Sequence, residues 1–167
     1  MHHFLVYQIS CYSHFEKSFP GIETLLSSDY YSDNTNYPIT QSHQLDDKAY
    51  IQVISEVLQE LSHEGNVVIV GKGGNHILAS YPSTLHVGIF APLEMKVDLI
   101  MKREHLPSLE AKAFVKEHES ARIDYFKKFF KQHPYDTSFY DIMLNMRNLS
   151  VTEAADIIEH SITQKNT

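Results

Sequence analysis

Between Asn66 and Leu78 the chain reads Asn-Val-Val-Ile-Val-Gly-Lys-Gly-Gly-Asn-His-Ile-Leu, an apolar β-branched run that stops at three glycines around one lysine and resumes as helix-like sequence. A run of Val and Ile with no polar alternation has no solvent face. Residues Val67 to Val70 therefore predict a strand buried on both sides, as in parallel sheets covered by helices. Gly71, Gly73 and Gly74 then predict a tight strand-to-helix turn whose main-chain N–H groups can face an anion. The spacing is not that of an ATP phosphate loop: Gly65 precedes Gly71-Lys72 by one residue too many, and Lys72 is followed by Gly73 rather than Ser or Thr.

The flanking sequence supplies matching elements. Asp46-Asp47 open a stripe of Ala49, Tyr50, Val53, Ile54, Val57, Leu58 and Leu61 at helical spacing, with Gly65 after its end. Downstream lie a helix or turn over His76 to Ser80 and a second apolar strand over Leu85 to Phe90. Pro92 falls at the first turn of a helix with Leu93, Val97, Ile100 and Met101 on one face and Lys96, Lys102 and Arg103 on the other. Ser108 is the expected cap of a long charged helix from Leu109 to about Lys131, ended by His133-Pro134. Tyr140 to Leu144 gives a third strand, and Ser150 with Glu153 forms a capping box for the last helix. Upstream, Phe4 to Ile9 suits a short strand, while Ser27 to Leu45 is polar, contains Pro38 and has no apolar period, as in a surface loop. The expected fold is an α/β domain, a three-layer parallel sheet with helices on both faces. Residues 1–45 form a variable amino-terminal segment and polar loop, and 46–167 the α/β unit, within one domain overall.

Composition narrows the function. A formal charge of -7 lacks the cationic excess that a nucleic-acid surface needs, so a phosphorylated ligand must meet a local basic pocket. The single Cys11 excludes an intrachain disulfide, and no apolar run approaches the length of a membrane span. These features fit a cytoplasmic protein without membrane or nucleic-acid partners. The eleven histidines show neither HExxH spacing nor cysteine partners, so no metal is expected.

Three cationic positions are candidates for anion binding. Lys72 sits on the glycine loop at the carboxyl end of a buried strand, the edge where ligands bind in open α/β sheets. Arg122 lies in Glu119-Ser120-Ala121-Arg122-Ile123-Asp124-Tyr125, where Glu119 and Arg122 share a helix face. That spacing suits an ordinary surface ion pair as well as a guanidinium that grips phosphate oxygens in a fork. Lys102-Arg103 is the third. Tyr30, Tyr31 and Tyr37 in the polar loop have faces on which a base can stack.

Taken together, Gly-Asn-Val-Val-Ile-Val-Gly-Lys-Gly-Gly-Asn, then Leu-His-Val-Gly-Ile-Phe-Ala-Pro-Leu-Glu, then the Glu-x-x-Arg-x-x-Tyr helix, then Leu-Ser-Val-Thr-Glu-Ala-Ala resemble the cytidylate-kinase-like family of nucleoside monophosphate kinases, over residues 45–162. The resemblance implies a P-loop-kinase-like sheet with a helical lid. It implies that Lys72, with Gly71, Gly73 and Gly74, stands where the family places Arg against the acceptor phosphate. It also implies that Arg122, with Glu119 for the family's Asp and with Tyr125, belongs to the lid. Arg103, from the Lys102-Arg103 pair and not from the resemblance, is a third phosphate-binding candidate. Family members open with a strand and a Gly-rich ATP loop. Here Cys11-Tyr12-Ser13-His14-Phe15 follow the first apolar run, with neither glycine nor lysine.

The resulting expectation is a degenerate or amino-terminally shortened kinase that binds a nucleotide or another phosphorylated small molecule without conventional ATP-dependent transfer, and for which no catalytic residue is assigned. Two readings stand beside it: an active CMP-type phosphotransferase, using Mg and ATP, whose donor site is unusual or supplied by a partner, and a structural interaction module. If the family's first strand were lost, the sheet would have a gap at its centre. Either Phe4 to Ile9 fills that gap or two chains pair as a homodimer.

Overall fold

The computed structural model describes residues 4–9, 24–25, 47–64 and 66–165. The polar loop with Tyr30, Tyr31 and Tyr37, and also Cys11 and Gly65, lie outside the described residues. Strands β1 (Phe4–Ile9) and β2 (Thr24–Leu25) precede α1 (Asp47–Glu64), β3 (Val67–Val70), α2 (Gly74–Ile77), β4 (Thr84–Phe90), α3 (Leu93–Glu104) and α4 (Ser108–Phe130). A 3-10 turn over Thr137–Phe139, β5 (Ile142–Asn145) and α5 (Val151–Lys165) complete the order.

Every strand pair is parallel, in the order β2-β3-β1-β4-β5. The segment Phe4–Ile9 therefore fills the sheet centre, pairing Phe4 with Val67 on one side and with Thr84 on the other.

Strand alternation splits the apolar residues between two faces, and each face is covered. Val67 and Ile69 pack with Leu58 of α1 and with Leu78, and Leu58 is fully buried. Val68 points the other way, joining Leu85, Val87, Ile89 and Leu144 against Ala154 and Ile158 of α5. The three layers of the α/β expectation are these. Helix α5 begins at the capping box read from the sequence: the Glu153 amide donates to Ser150 Oγ at 3.2 Å, and the Ser150 amide donates to the Glu153 carboxylate at 2.8 Å. Helices α3 and α4 form a hairpin with an apolar seam of its own, Val97 and Ile100 against Ala111 and Val115.

Several boundaries differ from the sequence reading, each for a local reason. Pro92 and Pro107 precede their helices as cap residues, with ψ of 151° and 154°, so Ser108 is the first helical residue rather than the cap. Helix α2 is shorter and earlier than His76 to Ser80, because the glycine turn closes directly into it. Strand β5 starts two residues late: the 3-10 turn ends on Tyr140, whose hydroxyl donates to the Pro134 carbonyl at 2.6 Å. Lys96 is not on a solvent face. It lies one helical turn before Ile100 on the inner side of α3 and is only 9% exposed.

Candidate functional site

Three consecutive residues at the carboxyl end of β3 adopt left-handed backbone: Gly71 (φ 74°), Lys72 (φ 54°) and Gly73 (φ 72°). Lys72 carries a side chain in a region that favours glycine, a local cost of about 1 kcal/mol or more that persists where neighbouring contacts impose it. One such contact comes from α4, where the Tyr125 hydroxyl donates to the Lys72 carbonyl at 3.2 Å. The loop closes as the Gly74 amide donates to Gly71 O at 3.0 Å, and the Ile77 amide to Gly73 O at 3.0 Å. A Cβ on Gly73 would collide with the Phe130 ring, whereas one on Gly71 would meet nothing within 4 Å. Burial lowers the Lys72 pKa from its ordinary value.

One helical turn before Tyr125, Arg122 enters a charged network that ties the hairpin together. Lys96 Nζ of α3 reaches Glu119 Oε2 at 3.2 Å, and Arg122 Nη2 donates to Glu119 Oε1 at 2.6 Å. Tyr135 joins both: its hydroxyl donates to Glu119 and accepts from Arg122, and the guanidinium carbon lies 4.6 Å from its ring centroid. Burial opposes ionisation of Glu119, but the Tyr135 hydroxyl, Arg122 and Lys96 outweigh it and hold the pKa below the usual carboxylate range. Burial, and then the hydrogen bond to Glu119, raise the Tyr135 pKa. Two cations share one carboxylate, so a positive charge is left uncompensated within the network. Arg122 Nη1 is solvent-inaccessible and has no hydrogen-bond partner. The guanidinium fork thus has one arm engaged and one arm open.

Behind this corner Asn75 is 1% exposed, with its amide against the Tyr140 hydroxyl. Burial pushes Tyr140 up to about 12, against the opposing pull of the Arg122 charge and of the hydrogen bond with Asn75. Phe90, at the end of β4, contacts Tyr135 at 5.2 Å and Tyr140 at 6.3 Å between ring centroids.

His76 stacks on Phe139 at 3.9 Å and contacts Phe126 and Phe130. Burial, opposed by Asp136 and assisted by His86, lowers its pKa from 6.5 to about 4. Burial lowers His86 as well, against the pull of Asp141. A histidine held neutral in the fold but free to protonate when unfolded withdraws stability as pH falls. The contribution is intact above pH 6.5 and declines toward pH 4. With allowance for its partial exposure, His76 costs about 2 kcal/mol between pH 7 and 4.5. Urea unfolding across that range checks this: His76→Gln is expected to flatten the decline, and an unchanged slope would refute the assignment.

Of the residues singled out from the sequence, Lys72, Glu119, Arg122 and Tyr125 meet at one corner, with Gly71, Gly73 and Gly74 shaping the loop. Arg103 does not join them. It pairs with neighbouring Glu104 at 2.5 Å, about 10 Å along α3 from Lys96. Lys96, Asn75, Tyr135 and Tyr140 were not identified from the sequence. Only Asn75 carried a signal, a polar residue set directly after the glycines in an apolar context. Among the described residues no group of three His, Cys, Asp or Glu is placed to hold a metal, and no helix is long and apolar enough to cross a membrane.

The profile of the cytidylate kinase-like family matches residues 8–148. A cytidylate kinase of Methanopyrus kandleri is 27% identical over 112 residues, 62% of this chain and 58% of that protein. A cytidylate kinase of Methanoregula boonei is 24% identical over 120 residues, 71% and 65% of the two chains. One from Sulfolobus acidocaldarius is 26% identical over 111 residues, 66% and 60%. The chain thus spans about three-fifths of the length of the curated relatives it matches. A crystal structure of an uncharacterized protein from Eubacterium ventriosum superposes with a TM-score of 0.65 at 22% identity, over 71% of this chain and 74% of the other, and shares the fold.

Proposed function

This chain belongs to the cytidylate kinase-like family, and from that premise we propose that it binds the phosphate of a nucleotide, or of another phosphorylated small molecule, at the corner between Lys72 and Arg122. The observation that carries the reading is the half-engaged guanidinium. Glu119 and Tyr135 fix Nη2 and the plane of the group, while Nη1 is held out of water with no acceptor and the network keeps a net positive charge. Arginine binds phosphate oxygens through such a fork better than lysine does, and burial strengthens the attraction. The corner lies at the carboxyl end of parallel strands, the usual ligand edge. Entry to Nη1 needs the α3–α4 hairpin to tilt from the sheet, a motion its independent apolar seam allows.

Transfer from ATP is not part of the proposal. Phosphoryl transfer depends on positioning and charge around the donor phosphates. The residues that follow the central strand read Ser10-Cys11-Tyr12-Ser13-His14-Phe15-Glu16-Lys17, with no glycine before Gly21. Those residue types do not suit a cradle of main-chain amides for Mg-ATP.

Calorimetric titration with nucleoside mono-, di- and triphosphates tests the binding. Arg122→Ala is expected to weaken the bound nucleotide about 100-fold, while far-UV circular dichroism stays unchanged. No heat with any nucleotide, or equal affinity in the variant, overturns the phosphate site. Labelled product above the no-enzyme control with ATP, Mg and CMP overturns the non-transferring half and restores an active phosphotransferase.

A further inference from the structure

We propose that the bond from the Tyr125 hydroxyl to the Lys72 carbonyl is the latch of the α3–α4 hairpin, broken to admit a phosphate ester to Arg122 and remade over it, an inference that rests on the phosphate reading of Arg122. Arg122 and Tyr125 are three residues apart and share one face of α4. From that face the hydroxyl crosses to the glycine loop, where it donates to Lys72 O at 3.2 Å. Farther along the helix Phe126 and Phe130 pack on His76, and Phe130 lies against Gly73. Tyr125 thus stands between the end of α4 that aromatic packing anchors and the part that carries Arg122. A tilt of α4 about that anchored end, which uncovers the inaccessible Nη1, also parts the hydroxyl from Lys72.

The loop is the half of the latch that stores strain. The Gly74 amide closes on Gly71 O at 3.0 Å, so residues 71–74 form a tight turn whose central residues, Lys72 and Gly73, have φ of 54° and 72°. Such a turn favours Asn, Asp or Gly at both central places, and Lys72 is none of these. Because the peptide between them is planar, the direction of its carbonyl couples ψ of Lys72 to φ of Gly73, and pinning that one oxygen holds the turn in a shape the lysine resists. Breaking the bond frees the turn to relax, which favours the open hairpin. Re-forming it returns Lys72 to the corner together with Arg122, so lid and loop move as one two-state element. The hydroxyl is not itself a phosphate ligand: its proton goes to the carbonyl, and lone pairs do not attract an anion. Tyr125 is therefore a positioning residue.

Tyr125→Phe removes the hydroxyl and keeps the ring that packs on Phe129 and Phe130. Loss of one hydrogen bond shifts an opening equilibrium by about ten-fold. In the ligand-free variant, hydrogen exchange of the Gly74 amide, followed by NMR, is expected to quicken by about that factor, while the Ala154 amide, which donates to Ser150 O, exchanges as in the parent. Stopped-flow mixing with CMP, UMP, AMP, GMP and ribose 5-phosphate reads the second effect. For each ester that binds, association and dissociation are both expected to speed up about ten-fold in the variant, with Kd within about two-fold, because the latch is closed before entry and closed again after it. Loss of a group that touches the ester would raise the dissociation rate alone. Rates equal to the parent's, a rise confined to dissociation, or unchanged Gly74 exchange overturns the latch and leaves the Arg122 site standing. Binding of none of the esters by the parent removes the phosphate reading, and the latch with it.

Discussion

Gly73→Ala is expected to lower the free energy of unfolding by about 3 kcal/mol. Two costs add at this position. The backbone holds φ at 72°, where a Cβ crowds the following carbonyl, a penalty of about 1–2 kcal/mol. The new methyl also collides with the Phe130 ring, which packs against His76, Phe126 and Tyr125. Phe130 cannot withdraw without loosening that aromatic group, and crowding of this kind costs about 1–3 kcal/mol. Gly71→Ala is the internal control. Its φ is 74° but nothing lies within 4 Å of the added carbon, so only the backbone cost of about 1–2 kcal/mol applies. Urea unfolding that gives equal midpoints for the two variants would refute the role assigned to Phe130.

Phe126→Ala is expected to remove about 4 kcal/mol, a large share of the stability of an ordinary domain. The ring is 1% exposed on α4 and meets His76 edge-on at 5.1 Å, with Phe130 at 5.5 Å and Tyr125 at 5.8 Å. It therefore holds the end of the long helix down on α2 and the glycine loop. Its removal leaves a cavity beside His76 that admits water. The same variant is expected to return the His76 pKa from about 4 toward 6.5, read by NMR titration of the imidazole. A midpoint within experimental error of the parent, or a histidine still neutral at pH 5.5, would show that Phe126 does not seal this region.

The pattern of agreement between sequence and structure follows the range of the forces involved. Periodicity reports burial along one element. The stripe through Ile54, Leu58 and Leu61 thus announced α1, although Val53 and Val57 beside it stay exposed, and the apolar runs announced β3 and β4. The capping box of Ser150 and Glu153 was legible because both partners lie within one turn. Lys96 was misplaced because its partner, Glu119, is on another helix 23 residues away. Tyr135 and Tyr140 were missed for the same reason, since their roles depend on how the chain returns over the sheet after α4. Arg122 shows both sides of the matter. The ordinary ion pair with Glu119 was readable from the three-residue spacing, but that bond occupies Nη2 alone, and only the fold reveals that Nη1 has been left open.

The position of β1 shapes how the chain must be made. Phe4 is flanked by Val67 and by Thr84, so β1 is completed only by segments synthesised sixty to eighty residues after it. Pairings across such long stretches of chain are slow to form. The centre of the sheet therefore cannot close until β4 has been made, and β1 must wait unpaired on one side through the synthesis of α1, β3 and α2.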